Sequence, residues 1–516
     1  VNSIWQAGFK EKKDNYRSFS REEGKMDQER ELVSSQRAAR ASRVRTISRL
    51  IPVLRTIRPV AKLLTASWEK QMRENAKKEI EKGEKPPGAI RDRLEIGVAV
   101  LRTIEKAILE DRLSSQTIQK LLNVLIGEAI IQEGDERAKR EFEGRYGKRP
   151  ASFILVSPTK KCNLFCVGCY ADSDRTEIKL SWPVLDRAVG EARNLWGARF
   201  FVISGGEPLL YEDEGKGILN LVEKYNDSFF LMYTNGTLID EKIARRMAQT
   251  GNIMPAVSVE GLKETTEKRR GRGVFQKILE TFEHLRKEKV FFGISLTITR
   301  DNAYEAFSEE AIDFYFNKIG AHFAWAFQYM PIGRAFTLEL LPTPEQRHWM
   351  FERAWQLVYE KHLFLIDFWN SGTATHGCVS AGRSGGYLVI NWDGTVTPCV
   401  FIPYSPLNIY EIYNQGKNIN DVWSNPFFAD IRKWQAEYGY GKNNRLEGPG
   451  RNWIMPCPMR DHFHQMYEML KKHRARPIDD NAAEALIDPE YYQGLVEYDQ
   501  QVAALLDPIW EKRYLR

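Results

Sequence analysis

The chain of 516 residues predicts an α/β protein: a partial (β/α)6 barrel with a helical N-terminal region and a small α+β C-terminal domain. Three observations lead there. From residue 150, six short apolar runs recur: SFILVS (152–157), RFFVIS (199–204), FFLMYT (229–234), MPAVSV (254–259), GISLTI (293–298) and HFAWAFQY (322–329). Amphipathic stretches such as WPVLDRAVGEARNLW and FQKILETFEHLRKE lie between them, and repeated strand-then-helix units imply a parallel sheet covered by helices. Third, the chemically distinctive residues follow the runs: a cysteine array after the first, SGGEP after the second, TNG after the third and SVEG at the fourth. All four belong on the face formed by the C-terminal ends of the strands.

Taken in order, residues 1–149 read as the helical N-terminal region. Residues 1–35 are polar and show no signal-peptide pattern. Between Leu32 and Trp68 there is no acidic residue, whereas Arg37, Arg40, Arg43, Arg45, Arg49, Arg55, Arg58 and Lys62 alternate with Val44, Ile47, Ile51, Leu54, Ile57, Ala61 and Leu64. This spacing predicts a basic amphipathic helix over about 36–75, with kinks at Pro52 and Pro59. Three uses remain open for it: packing on its own protein, lying on anionic lipid, or contacting nucleic acid. EIGVAVLRTIEKAIL and TIQKLLNVLIGEAI follow as helices, separated from the basic segment by a turn at KGEKPPGA. The barrel is expected over 150–345. A C-terminal domain over 346–473 holds an Asp-Gly hairpin signal at Asp393 and Gly394 between YLVIN and TVTP, and 474–516 form a helical tail.

Composition narrows the class. With 43% hydrophobic and 28% charged residues, the chain is an ordinary globular one. Its longest apolar stretch is broken by Glu128 and falls short of the roughly 20 residues that span a bilayer. Six cysteines are too few and too unevenly spaced for a secreted disulfide framework, which points to thiols used as ligands in a reducing, cytoplasmic compartment.

Half of those cysteines, Cys162, Cys166 and Cys169, form a CxxxCxxC array in KCNLFCVGCYADSD. Three thiolates at this spacing can hold three irons of a 4Fe–4S cluster and leave the fourth iron open for chemistry. Structural zinc would call for a fourth ligand that this loop does not offer.

The array after the first strand, GGEP after the second, and the six βα units resemble the radical S-adenosylmethionine (SAM) superfamily over about residues 150–335. The resemblance implies that SAM chelates the open iron, that one electron cleaves it to methionine and a 5′-deoxyadenosyl radical, and that the radical takes hydrogen from an unreactive C–H bond. Carried over by position, Cys162, Cys166 and Cys169 are the cluster ligands. Gly205, Gly206, Glu207 and Pro208 form the motif that meets the methionine amino group through backbone and carboxylate. Asn235, Ser258 and Glu260 approach the ribose or carboxylate, and Arg270 in RRGRGVF pairs with the methionine carboxylate. The residue before the third cysteine is usually aromatic in this family and packs near adenine; here it is Gly168, and either Tyr170 or another side chain is expected to take that place.

Cys378, Cys399 and Cys457 resemble a SPASM or twitch C-terminal domain, with Gly394 and Cys399 forming its GxxxxC element. Three cysteines imply one auxiliary 4Fe–4S cluster, with His376, Asp461, His462, His464, a substrate group or an open position completing it. The implied partner is a low-potential electron donor such as ferredoxin or flavodoxin. The expected substrate is large, with a lean toward membrane lipid or long-chain hydrocarbon because of the basic segment 36–75 and its peripheral contact with anionic membrane. Two alternatives stay open: a SPASM-type maturase forming C–S or C–C links in a ribosomal peptide, and a nucleic-acid-binding iron–sulfur protein. Sparse aromatic residues among the N-terminal arginines argue against the last.

Overall fold

The computed structural model describes residues 58–131, 134–439 and 452–516. Residues 36–57 of the basic segment therefore lie outside the described residues. The remainder of that segment enters helix α1 (Arg58–Lys82), with Pro59 in its first turn, where the missing N–H breaks no helical bond. Helix α2 (Pro87–Leu109) starts on Pro87 and packs against α1. Arg73 joins Glu95 across that contact at 2.7 Å, and Glu69 accepts Arg102 at 2.8 Å. No helix among the described residues is long and apolar enough to cross a membrane.

The six apolar runs become parallel strands: β1 (Phe153–Val156), β2 (Phe200–Ile203), β3 (Phe229–Thr234), β4 (Ile253–Val259), β5 (Gly293–Ile298) and β6 (Ala324–Gln328). Helices α3 (Trp182–Leu195), α4 (Ile218–Lys224), α5 (Glu241–Thr250) and α6 (Val274–Lys287) fill the connections between β1 and β5, and each buries its apolar side.

The strand-and-helix alternation was expected to stop near 345, and here the structure differs. Helix α7 (Pro344–Lys361) leads into β7 (Leu365–Asp367), which pairs in parallel with β6. At the opposite edge, β8 (Tyr387–Ile390) lies parallel to β1, and β9 (Val396–Thr397) turns back antiparallel on it through the Asp-Gly hairpin. The nine strands run β9-β8-β1-β2-β3-β4-β5-β6-β7. The C-terminal cysteine region is thus continuous with the barrel sheet. The reason is physical: an uncovered β1 edge would leave a row of unpaired backbone groups, and YLVI is buried at every position, as a parallel strand's residues are. Gly394 has φ +85° and lies against Tyr410, whose ring would sit 2.4 Å from any Cβ there.

The tail closes the molecule onto its N-terminal region. Helix α8 (Phe463–His473) packs on α9 (Pro489–Ile509), and α9 packs on α7. Beyond α9, the Tyr514 hydroxyl donates to Asp92 Oδ2 at 2.7 Å, Thr373 donates to the same oxygen at 2.7 Å, and Tyr359 donates to Oδ1 at 2.8 Å. Asp92 is 1% exposed. Burial, opposed by these three hydroxyls, pushes its carboxyl up from 3.8 to about 6.

Because the folded state favours the protonated form of Asp92, its contribution to stability is complete below the unfolded value and is lost as pH rises through about 6. The span corresponds to about 3 kcal/mol. Asp92→Asn is expected to flatten this part of the stability profile. Thermal midpoints of wild type and variant should diverge between pH 4 and 7, the wild type losing more; parallel profiles would show that Asp92 does not titrate in this window.

Candidate active site

The three loop cysteines gather at the mouth of the barrel and line a cavity of about 230 Å³. The loop is held at both ends. Cys162 N donates to Asp174 O at 2.6 Å, and the carbonyl of Cys169 accepts from Asp172 N and Arg334 N. Arg334 also binds the Cys166 carbonyl at 2.9 Å, pairs with Asp172 at 3.2 Å and stacks on the Phe165 ring at 3.4 Å. Burial pushes the Cys162 thiol up to about 11, opposed by the Leu164 N–H, while Glu207 and the two neighbouring cysteines push it further.

Two cations stand beside this loop. Arg269 and Arg270 end the helix Lys263–Arg270, and both bind Glu260 Oε1, at 2.6 and 2.5 Å. Glu260 is fully buried, and its second oxygen accepts Thr297 N at 3.0 Å. Arg269 reaches the Gly168 carbonyl at 3.2 Å, and Arg270 lies 4.0 Å from Cys166 Sγ. Each guanidinium keeps a buried Nε with no partner among the described residues. Arg269 is held above its usual pKa by Glu260 and the Cys166 and Cys169 thiols, against desolvation.

The strand-end motifs divide into those that line the cavity and those that brace its wall. Gly205, Gly206, Asn235, Ser258, Arg270 and Tyr170 line it. Glu207, Pro208 and Glu260 are not in that lining. Glu207 is fully buried and accepts Thr234 Oγ1 at 2.7 Å, Asn235 N at 2.8 Å and Leu209 N at 3.2 Å, so it ties the end of β2 to the end of β3. Burial raises its pKa against those hydrogen bonds. Gly206 N and Glu207 N are spent on Thr159 O and Lys161 O, while no described donor takes the Gly205 or Gly206 carbonyl. Asn235 donates to Asn163 Oδ1 at 2.8 Å and lies 3.8 Å from Cys162 Sγ.

Tyr170 is occupied in a way the sequence did not indicate: its hydroxyl is 2.7 Å from Ser204 Oγ and accepts Gly205 N at 3.3 Å. The space at Gly168, φ +62°, is taken by Tyr329, whose ring would be 2.7 Å from a Cβ at that position. Tyr329 follows β6, 161 residues along the chain from Gly168, and no local pattern marks it. Arg269 was also missed, although it stands in the same RRGR run as Arg270.

Cys378, Cys399 and Cys457 form a second group, close enough that each of the first two thiols raises the pKa of Cys457, beneath the larger effect of burial. Tyr387 OH lies 3.0 Å from Cys399 Sγ and Ser380 Oγ lies 3.1 Å from Cys378 Sγ. Burial pushes Cys399 up to about 12. Of the four side chains named to complete this set, three are engaged elsewhere. Asp461 forms a fully buried ion pair with Arg347 and accepts Cys457 N; His462 contacts Met455 O, and His464 contacts Tyr492 OH. His376 alone keeps a buried Nε2 without a described partner.

The cavity that the first cysteines open into is lined in part by Val379, Val400 and Phe401, which lie within two residues of Cys378 or Cys399. Residues 156–305 match the family model for the radical SAM superfamily, and residues 378–445 match SPASM, an iron-sulfur cluster-binding domain. The chain therefore carries a radical SAM domain and a SPASM domain over those residues. Among curated relatives, it is 29% identical over 160 residues to the Fe-coproporphyrin III synthase of Methanosarcina barkeri, covering 31% of this chain and 40% of that protein. It is 26% identical over 297 residues to the AdoMet-dependent heme synthase of the same organism, covering 52% and 80%. Among solved structures, Streptococcus suis SuiB bound to S-adenosylmethionine is similar with TM-score 0.48 and 16% identity, covering 62% of this chain and 75% of that one. AnSMEcpe with AdoMet and a Cp18Cys peptide gives 0.45 and 18%, covering 69% and 98%.

The radical SAM and SPASM domains make the protein an enzyme with a SAM-binding 4Fe–4S cluster and an auxiliary cluster. The side chains fit both groups. Each group offers three free thiols, the donor type that holds the irons of a cubane. The unpartnered Nε atoms of Arg269 and Arg270 supply positive charge where anionic sulfur would concentrate.

After anaerobic reconstitution, about eight irons per chain are expected. Replacing Cys162, Cys166 and Cys169 together with Ala should leave about four, as should replacing Cys378, Cys399 and Cys457. Four irons in the wild type, unchanged by the second triple substitution, would remove the auxiliary cluster.

Proposed function

We propose that this radical SAM enzyme removes a hydrogen atom from an unactivated C–H bond in the apolar part of a large substrate, with membrane lipid or another long-chain hydrocarbon as the substrate class. The observation that carries this reading is the wall of the cavity that Cys162, Cys166 and Cys169 open into. Its inward strand positions include Phe153 and Leu155 on β1, Phe200 and Val202 on β2, Leu231 and Tyr233 on β3, and Trp325 and Phe327 on β6. Phe153 stacks on Tyr387 at 5.2 Å, and Tyr233 meets Phe327 edge-on at 5.4 Å. The only cations in the lining are Arg269 and Arg270, both committed to Glu260.

Cys162, Cys166 and Cys169 would hold the cluster, which when bound would supply the one-electron reduction of SAM. In this reading the carbonyls of Gly205 and Gly206 accept the methionine ammonium, and Arg270 with Ser258 and Asn235 orients its carboxylate and the ribose. Tyr170 and Tyr329 flank the place of the adenine. Glu207, Pro208 and Glu260 act from behind, holding those groups in position. The aromatic lining excludes water from the radical, which protects the reacting C–H bond from competing chemistry. Tyr233 is buried deeply enough for its pKa to rise well above 10, so its hydroxyl stays protonated near the substrate.

The test is 5′-deoxyadenosine formation with lipid extracts deuterated in their acyl or isoprenoid chains. Deuterium in 5′-deoxyadenosine supports the reading. Trp325→Asp should retain SAM-dependent cluster spectra while losing substrate-dependent turnover by at least about 100-fold, since a carboxylate in an apolar site costs several kcal/mol. Turnover with a ribosomal peptide and none with lipid would replace lipid with the peptide-maturase alternative.

A further inference from the structure

The cluster loop presents an apolar surface that the chemistry inside the barrel does not use. Phe165 is 70% exposed and Val167 is 51% exposed, although they lie between Cys162 and Cys169. Phe165 is held in place by the Arg334 guanidinium stacked on its ring at 3.4 Å. An aromatic ring fixed in water within one residue of a cluster ligand calls for a contact, because large exposed apolar groups on a rigid loop mark interaction sites.

Beside it runs a shallow groove of about 390 Å³ lined by Asn163, Leu164, Phe165, Thr237, Arg272 and Lys277 among others, with no carboxylate in its wall. Arg272 and Lys277 are exposed, and neither has an acidic partner among the described residues. Two carboxylates of the same region are already engaged: Glu267 accepts Gly273 N at 3.0 Å, and Asp301 pairs with Lys268 at 2.7 Å. The patch therefore combines exposed apolar side chains at the thiol loop with uncompensated positive charge.

We propose that this face, Phe165 and Val167 flanked by Arg272 and Lys277, docks the electron donor, a small acidic one-electron carrier protein of the flavodoxin or ferredoxin type. The inference rests on the radical SAM reading of the cysteine loop. Charge complementarity steers the encounter, and the apolar contact excludes water over the loop that holds the thiols. In the transfer one electron leaves the carrier, which is oxidised by one equivalent, and the SAM-binding cluster is reduced by one; no bond forms or breaks at that step.

The experiment uses the reconstituted full chain and a reduced acidic flavodoxin, with dithionite as a donor that needs no docking. Arg272→Glu with Lys277→Glu is expected to weaken flavodoxin binding at low salt by about tenfold or more and to lower flavodoxin-driven 5′-deoxyadenosine formation by a similar factor. Dithionite-driven formation should be unchanged. The milder pair Arg272→Gln and Lys277→Gln should fall between, and Arg137→Glu, at the opposite end of the barrel, should bind as the wild type does. Equal flavodoxin affinity in the wild type and the double reversal would overturn the docking face. Absence of dithionite-driven cleavage in the wild type would instead overturn the radical SAM reading, with the binding measurement still deciding the surface.

Discussion

Two buried carboxylates hold the mouth of this barrel in shape. Neither Glu207 nor Glu260 touches solvent, and a buried charge is tolerable only when hydrogen bonds or opposite charges meet it. Glu207 meets that demand with donors from the ends of β2 and β3, and Glu260 with two arginines and the β5 backbone. The ends of β2 and β3 are thereby tied to each other, and so are those of β4 and β5. The cysteine loop rests on the result, because Arg269 binds Gly168 O and receives Val167 N on its own carbonyl. Removing either carboxylate would free the loops and also leave buried donors unsatisfied, so the ordering of the site and the stability of the mouth are one property.

A second buried network joins the C-terminal cysteines to the barrel. Asp367, at the end of β7, accepts Gln328 Nε2 at 3.0 and 2.9 Å, and Gln328 Oε1 accepts Arg460 at 2.6 Å. Arg460 shares the Asp461 carboxylate with Arg347 and stacks over Trp369 at 4.5 Å. Gln328 lines the cavity, and Arg460 lies three residues past Cys457. A displacement on one side is therefore felt on the other through groups that have no solvent to relax into. This explains why the auxiliary region is welded into the sheet through β7, β8 and β9 rather than attached by a linker.

Much of the fold was legible because its strands are buried on both faces and so read as uninterrupted apolar runs; GISLTI and FFLMYT coincide with β5 and β3. The cysteine array was legible because its spacing is local. What escaped depends on long-range packing. YLVI resembles either arm of an isolated hairpin until β1 is seen to need a neighbour. In RRGR, composition cannot show that both Arg269 and Arg270 turn toward one carboxylate. The resemblance gives Glu207 and Glu260 their place in the motifs, but not the donors on neighbouring strands that meet their carboxylates. The exchange of a side chain at Gly168 for Tyr329 could not be read at all, since the two positions meet only after six strands have closed.

The Gly168 and Tyr329 pair also bears on how the site accommodates its ligands. An aromatic side chain attached at position 168 would ride on the cysteine loop and move with it. Tyr329 is instead anchored at the end of β6, with its hydroxyl donating to Ala335 O at 2.7 Å, so the ring belongs to the barrel and the loop passes over it. With φ +62° and no Cβ, Gly168 lets the backbone approach that ring closely. The wall beside the third cysteine is consequently independent of loop position, and the loop is free to present Phe165 and Val167 outward. One substitution in the array thus separates the two duties of the loop, holding thiols toward the cavity and offering an apolar surface to the outside.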